Sequence, residues 1–256
     1  MNNLPKVIIP GFQKCATTAL CEILDQHPRL KRADITLAKT GRDEDHGGLG
    51  EVNYFSWEWG KRDVDWYKSF FEFGPEQGKY SREATMWYEK SPSYASYPEA
   101  AQRMYQTVPG VKLIFVVRDP EERAFSAFNH YSQLFPDSKD WDNWKQELSF
   151  AENLQDNNTF YMDYTDVLKR YNNYYDRSNM LIIVQEQLLQ KPDETYSKIF
   201  KFLNIDPDFK IENKLIHARK KTVERGELTP EVSERFGIIK QNLYDWLGYE
   251  IEEWEQ

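Results

Sequence analysis

The sequence predicts an α/β fold in which a central parallel sheet is flanked by helices on both faces. Three observations carry this prediction. Predominantly apolar runs at Lys112–Val117 and Met180–Val184 have the length and character of buried strands. Segments with apolar stripes at helical spacing separate these runs. The first apolar run, at 6–10, meets a glycine and then a helical pattern, which is typical of a strand–turn–helix unit.

The predicted elements alternate along the whole chain. Strands are predicted at 6–10, 82–87, Lys112–Val117 and Met180–Val184, and helices at 17–26, 63–71, 98–108, 121–134, Pro192–Leu203 and Pro230–Leu247. Asp63 begins the second helix as its cap, and Pro109-Gly110 ends the third. Segment 29–50 is charged and contains four glycines, so it is predicted to be a surface loop, and we consider it a candidate substrate lid.

Composition sets the class of protein and argues against several partners. The chain has 256 residues, of which 40% are hydrophobic, so it can bury a substantial core. Its net charge of −9 disfavours nonspecific binding of nucleic acid or of an anionic membrane. The same charge disfavours a long polyanionic glycan unless basic residues cluster.

Cysteine and histidine usage predicts no disulfide and no metal. Cys15 and Cys21 are the two cysteines, and their spacing does not place them face to face on a helix. The four histidines are scattered without the spacing of a zinc site. No apolar run approaches the roughly 20 residues of a membrane span. We therefore expect a cytoplasmic protein.

The turn that follows the first predicted strand has the features of an anion site. Gly11 ends the strand, Lys14 follows, and the pair Thr17-Thr18 begins a helix whose first N–H groups have no partner within the helix. The pattern is not a Walker motif, because no second glycine precedes the lysine. An ordinary strand–helix turn with a surface lysine is the alternative.

A second candidate anion site follows the run at Lys112–Val117. Arg118 emerges from the end of this strand, and Ser126 lies two turns into the next helix. Guanidinium groups bind phosphate through two parallel hydrogen bonds, so an arginine with a nearby hydroxyl suits a second phosphate. The alternative is a structural pair or cap formed by Arg118 and Asp119.

Together these motifs resemble those of the sulfotransferase family, which uses 3′-phosphoadenosine 5′-phosphosulfate (PAPS) as donor. The resemblance is closest to the glycan branch, of the heparan sulfate type, and to bacterial members. It continues through Glu51-Val52-Asn53-Tyr54-Phe55, Glu89-Lys90-Ser91-Pro92-Ser93-Tyr94 and the C-terminal helix ending Trp246-Leu247-Gly248. The five motifs stand in the family's order and cover nearly the whole chain. The resemblance implies one sulfotransferase domain over residues 1–256, with a P-loop-like sheet.

The resemblance also implies roles for individual residues. The 5′-phosphosulfate group is expected at the turn, on Gly11, Lys14, Cys15, Ala16, Thr17 and Thr18. The 3′-phosphate is expected on Arg118 and Ser126. A last cofactor loop is expected at Arg219, Lys220 and Lys221, although the family's pattern is broken there. Glu51 stands at the position of the catalytic base and Lys90 at that of a second lysine near the sulfuryl group. Asn53 replaces a residue that is often histidine in related enzymes.

The expected reaction is in-line transfer of a sulfuryl group to a hydroxyl or amine of a small metabolite or a saccharide. It needs alignment and neutralisation of developing charge, which Lys14 and Lys90 supply without a metal. Proton removal by Glu51 contributes roughly 10²–10⁴-fold. The alternatives are a P-loop-like nucleotide kinase or NTPase and a nucleotide-binding protein without catalysis. The sequence does not indicate an oligomeric state.

Overall fold

A five-stranded parallel sheet forms the centre of the fold. The structure is a computed structural model that describes residues 4–35, 50–72, 85–134, 149–156, 160–212 and 223–255. The strands are β1 (Val7–Gly11), β2 (Leu30–Arg32), β3 (Met86–Lys90), β4 (Lys112–Val117) and β5 (Met180–Val184). They lie in the order β2-β3-β1-β4-β5, and each neighbouring pair is parallel. The predicted parallel α/β sheet is confirmed.

Nine α-helices stand in the described part of the chain. They are α1 (Thr17–Leu24), α2 (Val64–Lys68), α3 (Ala100–Thr107), α4 (Pro120–Leu134), α5 (Phe150–Asp156), α6 (Tyr164–Asn172), α7 (Gln185–Gln190), α8 (Pro192–Leu203) and α9 (Pro230–Leu247). No described helix has the length and apolar character needed to cross a membrane.

The path of the chain explains where a ligand site belongs. From β1 the chain runs through α1 to β2 on one side, and from β3 it runs through α3 to β4 on the other. Because such crossovers are right-handed, α1 and α3 cover opposite faces of the sheet. The direction of winding changes beside β1, and ligands bind outside the carboxyl ends of strands at such a point. Gly11 at the end of β1 therefore leads into the candidate site.

The central strands form the core because they are apolar on both faces. In β1 the side chains of Val7, Ile8 and Ile9 are fully buried, and in β4 all residues from Leu113 to Val117 are. Strand β1 pairs with β3 on one side and with β4 on the other, so it lies in the middle of the sheet. The turn that follows β1 thus starts from a rigid position.

Contacts between Cα atoms divide the chain into two compact units. The first contains Met1–Val117 and Lys169–Lys214, which include all five strands. The second contains Arg118–Leu168 and Leu215–Gln256, which include α4, α5 and α9. Within the second unit α4 packs on α9. The single sulfotransferase domain over residues 1–256 stays a prediction.

The prediction of one loop over residues 29–50 was wrong at its start. Leu30–Arg32 form β2, an edge strand of three residues that pairs only with β3. Lys31 is buried there with its ammonium 4.3 Å from the ring centre of Trp87. A strand so short and so charged has no alternation to identify it. Residues 36–49, which include most of the candidate lid, lie outside the described residues.

Other boundaries differ by a few residues. Strand β3 begins at Met86 rather than 82, and helix 63–71 divides into α2 and a 3-10 turn at Ser69–Phe71. Asp63 caps α2 as predicted, because its Oδ1 accepts the N–H of Trp66 at 2.8 Å. Helices α5, α6 and α7 had not been predicted. Both cysteines are free and buried.

Candidate active site

The turn after β1 is close-packed at its start and left-handed at two later positions. A Cβ on Gly11 would lie 2.8 Å from the Cβ of Ala95, so only glycine fits there. Lys14 and Ala16 have φ of 67° and 60°, a conformation rare outside glycine. Residues held in such conformations cluster at ligand sites, where surrounding structure maintains them.

Helix α1 begins directly after these residues without a side-chain cap. Ala16 is the N-cap, and its methyl side chain has no atom that could accept a hydrogen bond. The first turn of α1 also contains no acidic residue. The positive end of this eight-residue helix is therefore suited to an external anion.

Two hydrogen-bond donors of Cys15 are engaged within the turn. Its N–H donates to the carbonyl of Phe12 at 3.3 Å, and its thiol donates to the carbonyl of Gln13 at 3.6 Å. Both donors thus stabilise the turn itself. A direct contact of Cys15 with a ligand stays a prediction.

Three predicted site residues from separate parts of the chain meet beside this turn. Lys90, at the end of β3, donates to Oε1 of Glu51 at 3.0 Å and lies 3.5 Å from Oγ1 of Thr18. The side chain of Lys90 is 2% exposed and that of Glu51 is 13% exposed. A lysine and a carboxylate that are shielded from water interact more strongly than a surface pair. The arrangement places a potential base and a cation beside an anion turn.

A hydrogen-bond network holds the segment that carries Glu51. The N–H of Asn53 donates to Oγ of Ser91 at 3.0 Å, and Oδ1 of Asn53 accepts from Ser93 at 2.5 Å. Ser56 donates to the carbonyl of Asn53 at 3.2 Å. Asn53 is buried and has φ of 55°, which asparagine tolerates better than most residues. Its contacts therefore explain an asparagine here as a structural residue.

Glu89 is a buried carboxylate that sequence reasoning missed. Its Oε1 accepts from the hydroxyls of Tyr67 at 2.7 Å and Tyr94 at 3.1 Å, and its Oε2 accepts from Ser91 at 2.8 Å. Burial raises the pKa of Glu89 to about 7, although the three hydroxyl donors oppose that shift and the charge of Glu51 adds to it. The signal in the sequence was a glutamate inside an apolar strand.

Aromatic side chains around the Glu51 segment form mainly core. Tyr54 stacks on Tyr67 with ring centres 4.7 Å apart, and Phe55 contacts Tyr94 edge to face. Trp57 differs because it is 42% exposed. It is thus the member of this group most available to a ligand.

The predicted 3′-phosphate residues belong to the second unit. Arg118 pairs with Glu122 of α4 at 3.1 Å, and its carbonyl accepts from Tyr164 at 2.7 Å. Of the alternative, a structural pair or cap, the cap is found: Asp119 accepts the N–H of Glu122 at 3.0 Å at the start of α4. Asp119 also pairs with Lys240 at 2.8 Å. Ser126 is half-buried on α4.

The remaining predictions for the site concern the last cofactor loop and metals. Arg219, Lys220 and Lys221 lie outside the described residues. Among the described residues, no three His, Cys, Asp or Glu side chains group in a way that could hold a metal ion.

Comparison with known proteins gives, along most of the chain, the family that its motifs resemble. A sequence model of the sulfotransferase domain matches residues 4–227. Human heparan sulfate glucosamine 3-O-sulfotransferase 5 is 28% identical over 215 residues, which cover 81% of this chain and 55% of that protein. Mouse bifunctional heparan sulfate N-deacetylase/N-sulfotransferase 3 is 26% identical over 215 residues, which cover 81% of this chain and 23% of that protein.

The chain thus spans about half the length of the first relative and about a quarter of the second. A solved sulfotransferase from Alicyclobacillus acidocaldarius superposes with a TM-score of 0.69 at 24% identity, and the match covers 99% of both chains. The sulfotransferase domain of the curacin biosynthetic pathway superposes with a TM-score of 0.51 at 15% identity. These structures have the same fold.

Proposed function

Because the chain belongs to the sulfotransferase family, we propose that it transfers a sulfuryl group from PAPS to a hydroxyl or amine of a small metabolite or a saccharide. The family match confirms the enzyme class that the motifs predicted, a PAPS-dependent sulfotransferase. The observation that supports the roles of individual residues is the contact of Lys90 with both Glu51 and Thr18.

The turn after β1 fits the 5′-phosphosulfate of the donor. Gly11 lets Ala95 pack against the start of the turn, and α1 begins without a side-chain cap because its N-cap is Ala16. Lys14 and Thr18 supply an ammonium and a hydroxyl from the same turn. PAPS supplies the activated sulfuryl group, while these residues hold its phosphate and stabilise negative charge on the leaving oxygen.

Glu51 and Lys90 supply the chemistry at the transferring group. In the structure they neutralise each other, so Glu51 becomes a free base when the ammonium of Lys90 turns to the sulfuryl oxygens. Glu51 then takes the proton from the acceptor hydroxyl or amine. The pairing thereby links removal of the acceptor proton to the presence of donor.

The acceptor is proposed from two opposing arguments. Both named relatives act, by their names, on heparan sulfate, which favours a saccharide. The net charge of −9 disfavours a long polyanion. We therefore propose a small hydroxyl- or amine-bearing metabolite or a short saccharide, and Trp57 is an exposed ring on which a sugar could stack. The cytoplasmic location stays a prediction.

The first experiment tests donor and reaction together. Incubation of the full chain with PAPS and an acceptor panel, followed by mass spectrometry, should show an acceptor that gains one sulfuryl group. Thermal shift should show stabilisation by 3′-phosphoadenosine 5′-phosphate (PAP), the product, and not by ATP with Mg²⁺. A preference for ATP would instead favour the kinase reading.

The second experiment tests the residues. Glu51→Gln and Lys14→Ala should each lower kcat by roughly 10²-fold or more, since one removes the base and the other a cation at the leaving group. Glu58→Gln is the matched control, because Glu58 lies in the same segment and its side chain, 15% exposed, is shielded about as well as that of Glu51. Near-normal turnover of Glu51→Gln would remove Glu51 as the base.

A further inference from the structure

One hydroxyl connects the buried carboxylate of Glu89 to the segment that carries Glu51. Oγ of Ser91 donates to Oε2 of Glu89 at 2.8 Å and accepts the N–H of Asn53 at 3.0 Å. Glu89 and Ser91 are fully buried and Asn53 is 1% exposed, so water does not compete for these contacts. The contacts therefore run from the carboxylate, through a single hydroxyl, to the backbone of the Glu51 segment.

Asn53 is a fixed point of that segment. Its φ is 55°, and its carbonyl accepts the N–H of Glu58 at 3.2 Å. Glu51 lies two residues earlier, and its carboxylate accepts from Lys90, the residue directly before Ser91. Two adjacent residues at the end of β3 thus hold the segment at two points, the backbone of Asn53 and the side chain of Glu51.

The direction of the hydrogen bonds at Ser91 depends on the charge of Glu89. An ionised carboxylate only accepts, and here it has hydroxyl donors on both oxygens. Tyr67 and Tyr94 make their shorter bonds to Oε1, at 2.7 and 3.1 Å, so an added proton meets less opposition on Oε2. A proton on Oε2 makes Ser91 an acceptor of two donors, the carboxyl group and the N–H of Asn53.

The ionised form gives the stronger link. A hydroxyl that donates to a charged group makes a stronger hydrogen bond than one that donates to a neutral group. Because hydrogen bonds in a chain polarise one another, Ser91 then also becomes a better acceptor for the N–H of Asn53. Protonation of Glu89 removes both effects, so it weakens the hold on the backbone of Asn53.

Both forms of Glu89 are populated near neutral pH. Burial raises the pKa of Glu89 to about 7. The titratable groups that face it are Tyr67 of α2, Tyr94 of the turn after β3, Tyr171 of α6 and Glu51. Burial raises the pKa values of the three tyrosines well above 10, so these phenols keep their protons while Glu89 titrates.

We infer that Glu89 is a positioning residue for Glu51: its ionised carboxylate orients the hydroxyl of Ser91, which fixes Asn53 and thereby holds Glu51 beside Lys90. The effect on catalysis rests on the proposed function, since Glu51 is the proposed base. The structural part, the link from Glu89 to the N–H of Asn53, does not depend on that role. A glutamine could accept from the tyrosines without a buried charge, so the link is a reason for a carboxylate at this position.

Amide hydrogen exchange of Asn53 tests the structural part without any turnover. NMR of the isotope-labelled full chain gives the protection factor of this N–H, which corrects the exchange rate for its intrinsic pH dependence. The protection factor should rise about three- to tenfold as the pH passes upward through about 7, because a stronger hydrogen bond opens less often. Global stability changes in the opposite direction, since ionisation of a buried carboxylate destabilises the folded chain. A protection factor that does not rise would overturn the inference.

Substitutions separate the charge of Glu89 from simple loosening of the segment. Glu89→Gln cannot ionise, so the protection factor of Asn53 should stay at its low-pH level throughout. Ser91→Ala should likewise remove the pH dependence, and Ser91→Thr, which keeps the hydroxyl, should restore it. Tyr67→Phe removes a donor to the ionised carboxylate, so the midpoint should move about one pH unit higher.

Ser93→Ala is the control from the same network. Ser93 donates to Oδ1 of Asn53 rather than to Glu89. Its removal should lower the protection factor of Asn53 at every pH and leave the midpoint near pH 7. Circular dichroism checks that each variant is folded. A midpoint that survives in Ser91→Ala would show that the charge of Glu89 acts without the hydroxyl, which overturns the inference.

The effect on catalysis is measured with PAPS and the acceptor that the panel identifies. The kcat should rise about three- to tenfold with the same midpoint and lose this rise in Glu89→Gln and Ser91→Ala, while the KM for PAPS changes by less than about twofold. A midpoint in the protection factor without one in kcat would overturn Glu89 as a positioning residue. If no acceptor gains a sulfuryl group, the proposed function fails, and hydrogen exchange still decides whether the link exists.

Discussion

Replacing the buried carboxylate Glu89 by glutamine should remove a large pH dependence from the stability of the protein. Glu89 is fully buried, and the groups that face it are the hydroxyls of Tyr67, Tyr94 and Ser91 and, farther away, the carboxylate of Glu51. Burial raises the pKa of Glu89 from 4.5 to about 7. Burial likewise raises the pKa values of Tyr67 and Tyr94 well above 10, so both phenols remain donors.

The sign follows from which state binds the proton more tightly. Between pH 4.5 and about 7 the folded chain keeps the Glu89 proton while the unfolded chain has lost it. The stabilisation is therefore complete below pH 4.5 and is lost as the pH rises through about 7. A shift from 4.5 to about 7 corresponds to roughly 3 kcal/mol, at about 1.4 kcal/mol per pH unit.

The assay is urea unfolding of both proteins at about pH 5 and about pH 8. Glutamine keeps a carbonyl oxygen for the tyrosines but does not ionise, so Glu89→Gln should gain roughly 3 kcal/mol relative to the unsubstituted chain between the two pH values. Titrating groups that do not interact with Glu89 cancel in this difference. Glu22→Gln, an exposed change on α1, is the matched control. A difference that stays within about 0.5 kcal/mol would refute the reasoning.

Two further substitutions test the local structure around the site. Gly11→Ala should destabilise the chain by about 1–3 kcal/mol, because the new Cβ would lie 2.8 Å from that of Ala95. Gly237→Ala in α9 is the control: its new Cβ meets nothing within 4 Å, so it should not destabilise the chain. Urea unfolding compares the two variants. Asp63→Ala should cost about 1 kcal/mol by loss of the cap on Trp66, and an unchanged unfolding midpoint would contradict that role.

The sequence was sufficient for elements whose signal is local. Runs such as Lys112–Val117 and Met180–Val184 are apolar on both faces, and their predicted bounds match the structure. The last helix has the same bounds as predicted because Thr229 and Pro230 mark its start and Gly248 its end. Strand β2 was missed because three residues carry too little pattern, and its burial depends on pairing with β3.

The site could be predicted in part for a related reason. Lys90 and Glu51 were identified through their motifs, but their contact joins positions 39 residues apart. Glu89 was missed because a charged residue within a strand is tolerated only when distant groups satisfy it, here a tyrosine 22 residues earlier. Such contacts exist only after the chain has folded.

The alternation of β3 explains why one short strand serves both stability and chemistry. Glu89 contacts Tyr67 and Tyr94, and Lys90, the next residue, reaches Glu51 and Thr18. A slip of one residue in one direction would bring the carboxylate of Glu89 to Glu51, and a slip in the other direction would bring the ammonium of Lys90 to hydroxyls that now donate to a carboxylate. Either slip places a charge where its neighbours repel it or offer the wrong partner. The buried Glu89 therefore fixes the register that delivers Lys90 to the site.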